Sequence, residues 1–452
     1  MKITESRMSS LMVSVSGVRG IVGEALIPEV VAKFSAAFGR LSQEEMIVVG
    51  SDTRTSNQMF RYAVFSGLLS SGCEVVDVGV CPTPSLQLMV EKLEASGGIA
   101  ITGSHNPAEW NALKFIRSDG LFLYPEQGKL LLQIYAKERI PRVKWDEIRQ
   151  VHHDNLAIEN HLNKVLNTVP RRKIKDRRFK VVLDACNGAA SLISPQLIRR
   201  LGCEAIELNC NPDGIFPHPP EPTPPNLKEL SRVVKSEGAD IGFAHDADAD
   251  RVAVVTEKGE ILPEDYSLLL TTKFVLSKRK GLVVTNLSTT QALDDIAGEF
   301  SSSVQRTKVG DIHVSRQMKE KKAVIGGEGN GGVIIPEVHY ARDGIAAIAL
   351  LLEYLAEANE PISKLADKLP CYYMVKKKLE FTKGDFSLLK ARLRKEFKGE
   401  KLDFLDGVKI TLKEGWIHIR PSGTEPVIRI ITEAKTRKEA ENLYQLALVQ
   451  IR

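Results

Sequence analysis

The chain has 452 residues, 62 basic and 57 acidic for a formal charge of +5, with 43% hydrophobic and 26% charged residues. That length exceeds one ordinary core and predicts three or four domains of about 100–200 residues each. The composition excludes a disordered or fibrous chain, the interspersed charges offer no basic face for nucleic acid, and no apolar run of about 18 residues suggests a membrane span. Six cysteines (Cys73, Cys81, Cys186, Cys203, Cys210, Cys371) lie far apart without a CxxC pair. They read as free thiols of a reducing cytoplasm, and the start, MKITESRMSSLMVSVSG, lacks the apolar core of a signal peptide.

Three segments share one plan, a β-branched run, a polar or glycine-containing turn and a helical pattern. They are MIVVGSDTRTSNQMFRYAVFSGLL, FKVVLDACNGAASLISPQLIRRLG and GLVVTNLSTTQALDDIAGEF. Short apolar runs followed by amphipathic helices predict strands covered on both faces, as in a parallel α/β sheet. The charged stretch at 137–155 suits a surface connection before a helix beginning near Leu156. The proline-rich NPDGIFPHPPEPTPPNL, residues 211–227, cannot continue a helix or central strand and is expected to be a loop. A further break falls near Leu369 to Tyr373, after which DGVKITLKEGWIHIRPS and VIRIITEA read as strands and KTRKEAENLYQLALVQIR as a terminal helix. The expected fold class is α/β in four domains, namely α/β units at 1–150, 151–254 and 255–370 and a small α+β unit at 371–452.

Four segments carry chemistry. In AITGSHNPAEWNALKF an apolar run ends in a tight turn holding Ser104. Such a turn presents a hydroxyl as a nucleophile, or is a plain Gly/Ser/Asn/Pro turn. In GFAHDADADRVAVV an extended strand would set Asp246, Asp248 and Asp250 on one face, where three carboxylates repel unless a hard cation sits among them. A helix–loop–helix calcium loop is excluded because its sixth place holds Arg251 rather than glycine. VIGGEGNGGV surrounds Glu328 and Asn330 with glycines, either a clamp for sugar hydroxyls or a tight hairpin. IRPSGTEPVIRI gathers Arg420, Ser422, Gly423, Thr424 and Arg429, either a cradle for a phosphate that does not react, which the convergence of donors favours, or a surface turn with a charged strand.

Taken in this order and spacing, TGSHNP, DADADR, GGEGNGG and RPSGTEP resemble the four signature regions of the α-D-phosphohexomutase family, which includes phosphoglucomutases, phosphomannomutases and phosphoglucosamine mutases. The resemblance spans nearly the whole chain and implies four domains around a central cleft. It implies that Ser104 is the phosphorylated serine, with His105 beside it and Lys114 assisting proton transfer. It further implies that Asp246, Asp248 and Asp250, with Ser104, hold Mg²⁺ and that Arg251 follows them in the catalytic set. Glu328 and Asn330 would bind the sugar, and Arg420, Ser422, Gly423, Thr424 and Arg429 the phosphate. SGVRGIVG adds Arg19 and TKVGD adds Lys308. The chain departs from the family pattern at Ala247 (usually glycine, hence less backbone freedom), at Asn330 (commonly serine) and at Gly332 (histidine in several subfamilies).

The implied activity is an intramolecular phosphotransferase that interconverts hexose 1-phosphate and 6-phosphate through a phosphoserine and a bisphosphorylated sugar. Glucosamine, glucose or mannose phosphate is the expected substrate, with a hexose 1,6-bisphosphate as activator. Lys114 serves as general base provided that cations and burial lower its pKa. The expected assembly is a monomer or homodimer. The alternatives are a phosphatase or a catalytically silent sugar-phosphate-binding protein on the same fold.

Overall fold

The computed structural model describes residues 11–14, 17–43, 45–380, 386–421 and 427–451. The chain divides into two compact units, one of Met1–Thr271 with Asn330–Asp367, the other of Thr272–Gly329 with Lys368–Arg452.

Two sheets order the first unit. Seven strands run Met12–Ser14, Gly17–Ile21, Trp110–Arg117, Gly97–Ile101, Met46–Ser51, Glu74–Val80 and Val151–His153 across the first. Met46–Ser51 pairs in parallel with both of its neighbours, whereas Gly97–Ile101 and Trp110–Arg117 are antiparallel with Ala100 opposite Lys114. Parallel strands buried on both faces require apolar runs, and Ile47, Val48, Val49, Ile99 and Ile101 are fully buried. Val151–His153 pairs with Glu74–Val80, so the stretch expected to be a surface connection ends in an edge strand. The second sheet orders Val252–Thr256, Ile241–His245, Lys180–Asp184 and Glu204–Leu208.

The helix Gly344–Ala358 is mostly apolar, with Glu353 and Glu357 its only charged residues, and is buried along most of its length, as such a helix must be. Asp343 caps it, its carboxylate accepting from Ile345 N (2.9 Å) and Ala346 N (3.0 Å). The proline-rich 211–227 is a loop apart from one short turn at Pro224–Asn226.

In the second unit Leu282–Asn286 pairs in parallel with Ser303–Thr307 and with Ile325–Glu328. A five-stranded antiparallel sheet follows in the order Tyr373–Glu380, Val427–Ala434, Gly415–Pro421, Val408–Thr411 and Lys401–Asp403. The terminal helix Arg437–Ile451 closes its core with Ala440, Leu443 and Ala447. The strands and helix expected after residue 405 are the ones found. Each of the three segments with a shared plan is a strand followed by a helix, namely Met46–Ser51 with Asn57–Ser70, Lys180–Asp184 with Ser194–Arg200, and Leu282–Asn286 with Ala292–Glu299. Among the described residues no helix is long and apolar enough to cross a membrane.

Candidate active site

The strand Gly97–Ile101 is buried along its length, and the chain leaves it at Thr102 into the turn carrying Ser104. Ser104 adopts left-handed backbone at φ 49°, which a residue other than glycine holds only where its surroundings over-determine it. Arg54 supplies much of that determination. Its guanidinium donates to the carbonyl oxygens of Ser104 (2.8 Å), Asn106 (2.6 Å), Pro107 (2.7 Å) and Trp110 (2.9 Å), and its Nε donates to Asp52 Oδ2 at 3.2 Å. Gly103 lies so close to the guanidinium that a Cβ would stand 2.7 Å from Arg54 Cζ, so the glycine before the serine answers a close approach. Thr102 completes the frame, accepting from Ser104 N (2.9 Å) and donating to Asp52 Oδ2 (2.6 Å). Sequence reasoning misses Arg54 and Asp52, and their only local signal is a charged pair at the end of the buried strand Met46–Ser51.

Ser104 is 6% exposed and its hydroxyl donates to Asp246 Oδ2 at 2.9 Å. The ligand oxygens of Asp246, Asp248 and Asp250, all buried, lie within 4.8 Å of one another. They do not alternate along a strand as expected. Ile241–His245 ends before them and Val252–Thr256 begins after them, antiparallel with His245 opposite Val252, so the acids occupy the turn of the hairpin. The left-handed step falls at Ala249, φ 57°. Ala247 is not left-handed, so the backbone there does not require the glycine that the family usually has.

Cationic and hydroxyl groups ring the triad. Lys114 Nζ donates to Asp248 Oδ2 (2.6 Å) and stands 3.6 Å from Asp250 Oδ2, while Thr83 Oγ1 donates to Asp248 Oδ2 at 2.7 Å. Arg342 Nη2 donates to Asp250 Oδ2 at 2.6 Å. Arg251 gives its backbone N–H to Asp246 Oδ1 (3.2 Å) and its Nη2 to His105 Nδ1 (3.0 Å). Thr83 and Arg342 escape the sequence reading because each reaches the triad from a distant segment. Arg342 also explains Gly332, since a Cβ there would stand 2.3 Å from Arg342 Cδ. Asn330 turns back on its own loop, its Oδ1 accepting from Gly332 N at 3.3 Å. Arg19 Nη1 donates to Asn106 Oδ1 at 3.3 Å, at the rim of the serine loop.

The electrostatics are those of buried opposite charges packed closely together. Burial and the neighbouring Asp250 and Asp248 push the Asp246 carboxyl well above its ordinary value. Burial also pushes on Asp248, but Lys114 and its hydrogen bonds more than offset it and hold Asp248 below the usual range. Arg251, burial and Arg19 depress His105, leaving it neutral. Lys114 departs from expectation. Burial pulls it down, yet Asp248 and Asp250 pull harder, and its pKa is raised. It is held as a cation, not as a free base. Asp248 Oδ1 and Asp250 Oδ1 are buried without a hydrogen-bond partner, a costly state for a carboxylate oxygen. Three clustered carboxylates with unfilled oxygens make the hard-oxygen donor set that a divalent cation accepts.

In the second unit Glu328 ends the strand Ile325–Glu328, its Oε1 accepting from Asn286 Nδ2 (2.8 Å) and Gly310 N (3.1 Å). Those bonds place it beside the turn after Thr307 that exposes Lys308. Arg420 and Arg429 stand directly opposite on antiparallel strands, so two guanidinium groups share one face, an arrangement that repels until an anion joins it. Asp406 tempers the repulsion. Its Oδ2 lies 3.3 Å from Arg420 Nε and accepts from Val309 N at 3.0 Å, linking the Lys308 turn to the arginine strand. Ser422, Gly423 and Thr424 lie outside the described residues.

A serine hydroxyl donating to a buried carboxylate ring, with three cationic side chains around that ring, is equipment for metal-assisted phosphoryl transfer. Family models named phosphoglucomutase/phosphomannomutase match most of the chain, with alpha/beta/alpha domain I at residues 11–141, domain II at 159–259, domain III at 263–373 and the C-terminal domain at 377–446. A phosphoglucomutase/phosphomannomutase of Thermococcus kodakarensis is 42% identical over 96% of both chains. A phosphoglucosamine/phosphogalactosamine mutase of Sulfurisphaera tokodaii is 37% identical over 94% of this chain and 96% of its own. The crystal structure of a phosphoglucomutase/phosphomannomutase family protein of Burkholderia thailandensis superposes with a TM-score of 0.85 at 27% identity, covering 98% of this chain and 97% of that one. The chain belongs to the phosphoglucomutase/phosphomannomutase family and is a phosphohexomutase with that family's four-domain architecture.

Proposed function

We propose that Ser104 carries the phosphoryl group of a mutase acting on glucosamine, glucose or mannose phosphate, passing it to one sugar hydroxyl and taking it back from another. The observation that carries this reading is the Ser104 hydroxyl at 2.9 Å from Asp246, inside a triad with unfilled carboxylate oxygens. Asp246, Asp248 and Asp250 would hold Mg²⁺, which when bound supplies charge neutralisation at the transferring phosphoryl oxygens.

The chain's own groups do the rest. Asp246 accepts the Ser104 proton contact and orients the oxygen. Arg251 and the neutral His105 form a fixed donor–acceptor pair beside it. That leaves the imidazole Nδ1 filled by Arg251 and unable to act as a base toward the serine. Lys114 is the proton carrier for the sugar hydroxyl, and because Asp248 and Asp250 hold it as a cation it must give up its own proton, loosening its hold on Asp248, before it can take the hydroxyl's. Glu328 and Asn330 are assigned to ring hydroxyls, Lys308 and Arg19 to substrate contacts, and the Arg420 and Arg429 pair to the phosphate that does not react. The loop residues Ser422, Gly423 and Thr424 are assigned with that pair by family resemblance. A hexose 1,6-bisphosphate primes the serine.

The six cysteines, none of them paired, support a reducing cytoplasm, and we place the enzyme there as a monomer or homodimer. The domain limits 1–150, 151–254, 255–370 and 371–452 are proposed as its folding units. The test is incubation with Mg²⁺ and a trace of glucose 1,6-bisphosphate, followed by glucose 1-, mannose 1- and glucosamine 1-phosphates in turn. Isomerisation of at least one is expected. Isomerisation of none would end the mutase reading, and phosphate release in its place would identify a phosphatase.

A further inference from the structure

The proline-rich loop 211–227 belongs to no sheet, yet several ties hold it. Asn187 Nδ2 donates to Ile215 O (2.9 Å) and Asn187 Oδ1 accepts from Asn211 N (3.0 Å). Gly214, at φ 72°, lies so close to the chain before Arg54 that a Cβ would stand 2.0 Å from Thr53 O. At the centre is His218. Its Nε2 donates to Asp184 Oδ2 at 3.0 Å and its Nδ1 to Pro219 O at 2.9 Å. Two donating nitrogens make it an imidazolium. Asp184 is buried and fully used, its Oδ1 accepting from Cys186 N (2.9 Å) and Asn209 Nδ2 (3.3 Å). Cys186 Sγ donates to His218 O at 3.5 Å and lies 3.7 Å from Nδ1.

Two side chains leave this pinned loop toward the machinery around Ser104. Phe216 lies over the Arg54 guanidinium, 4.9 Å from Cζ to the ring centroid, and so covers the face of the group that gathers the serine loop. Glu221 Oε1 stands 3.9 Å from Arg251 Nη1, opposite the bond that Arg251 gives to His105. We propose that His218 is a positioning residue for phosphoryl transfer at Ser104. It pins the loop 211–227 to the strand Lys180–Asp184, and the loop braces Arg54 through Phe216 and Arg251 through Glu221.

This inference rests on the phosphoryl-transfer role of Ser104, so its test needs one readout that turnover does not enter. The first readout is steady-state kinetics on whichever sugar phosphate the parent isomerises. His218→Ala is expected to lower kcat by about tenfold or more while KM stays within about twofold, because the sugar's own contacts are untouched. Phe216→Ala should reproduce part of the loss, and Phe216→Trp, which can still cover the guanidinium, should restore most of it. The second readout is hydrogen exchange of the backbone amides at 103–106, which is expected to quicken in His218→Ala and Phe216→Ala. If His218→Ala does not fold, the double variant Phe216→Ala with Glu221→Gln carries the test. The proposal is overturned if the folded variants keep kcat within about twofold of the parent, or if exchange at 103–106 is unchanged. Should the parent isomerise no sugar phosphate, the mutase reading falls, and the exchange comparison still decides whether His218 braces the loop.

Discussion

Ser104 and Cys186 make an instructive pair. Each lies shortly after a buried strand, Gly97–Ile101 and Lys180–Asp184, and each takes left-handed backbone at φ 49°. Each heteroatom lies near a histidine Nδ1, Ser104 Oγ at 3.5 Å from His105 and Cys186 Sγ at 3.7 Å from His218. The electrostatics then part. His105 is kept neutral by Arg251, burial and Arg19, and the Ser104 hydroxyl is oriented by a carboxylate crowded by two more. His218 loses affinity for its proton through burial but regains more from Asp184, which raises it to about 11, and burial raises the Cys186 thiol so that it stays protonated. On the roles proposed above, the same backbone device serves chemistry at Ser104 and bracing at Cys186. What decides is the charge that long-range partners bring to the turn.

The largest effect that could break this comparison is at the serine. Ser104→Ala is expected to reduce turnover by about a thousandfold or more while sugar phosphate still binds, since only the group that accepts the phosphoryl is lost. Turnover within a few-fold of the parent would remove Ser104 from the mechanism.

How much of this was legible from the sequence depends on reach. The turn at Ser104 and the DADADR run are local, and their residue types point to a nucleophile or a plain turn in the first and to a hard-cation site in the second before any fold is known. The geometry of the second was misjudged. Alternation along a strand and a hairpin turn bent at Ala249 both bring three aspartates together, and spacing does not separate them. The supporting groups were hidden because sequence distance conceals them. Arg54 lies 50 residues from Ser104, Arg342 lies 92 from Asp250 and Thr83 lies 165 from Asp248. The helix and strand grammar was readable in the three strand–helix segments and after residue 405, because apolar periodicity is set by each element's own burial. The edge strand Val151–His153 was not, because only its first residue is even half-buried.

Arg54 gives the next effect. Arg54→Lys keeps the charge but cannot serve four carbonyls at once, and kcat is expected to fall by about a hundredfold. Thermal melting should also drop, because buried carbonyl oxygens lose their donors. A variant that melts like the parent and turns over normally would show that the left-handed serine turn holds without its guanidinium, and the contrast with Cys186 would lose its structural basis.

The imidazolium at His218 predicts a pH dependence of stability with a definite sign. Its pKa in the folded chain lies above the ordinary 6.5, so the folded state binds more protons than the unfolded one between the two values. The stabilisation is complete below about pH 6.5 and is lost as pH rises toward the folded value. Its size, allowing for burial of the pair, is about 2 kcal/mol. The parent's melting temperature should therefore decline from pH 7 to pH 10 more steeply than that of His218→Gln. Equal slopes would mean that the histidine is neutral, and the bracing turn would then resemble the reactive one.

The smallest expected effect is also the sharpest on the comparison. Cys186→Ala makes at Cys186 the change that Ser104→Ala makes at the serine, on the same backbone conformation, removing one heteroatom in each case. The thiol gives only a weak hydrogen bond to His218 O, and the His218 pair with Asp184 survives its loss. Turnover should stay within about twofold of the parent, and stability should fall by less than about 1 kcal/mol, since cysteine and alanine meet the same steric cost in left-handed backbone. A loss of activity approaching that of Ser104→Ala would mean that the thiol itself takes part in the reaction. The two turns would then differ in substrate contact and not in the charge around them, and the division between a reactive and a bracing turn would have to be redrawn.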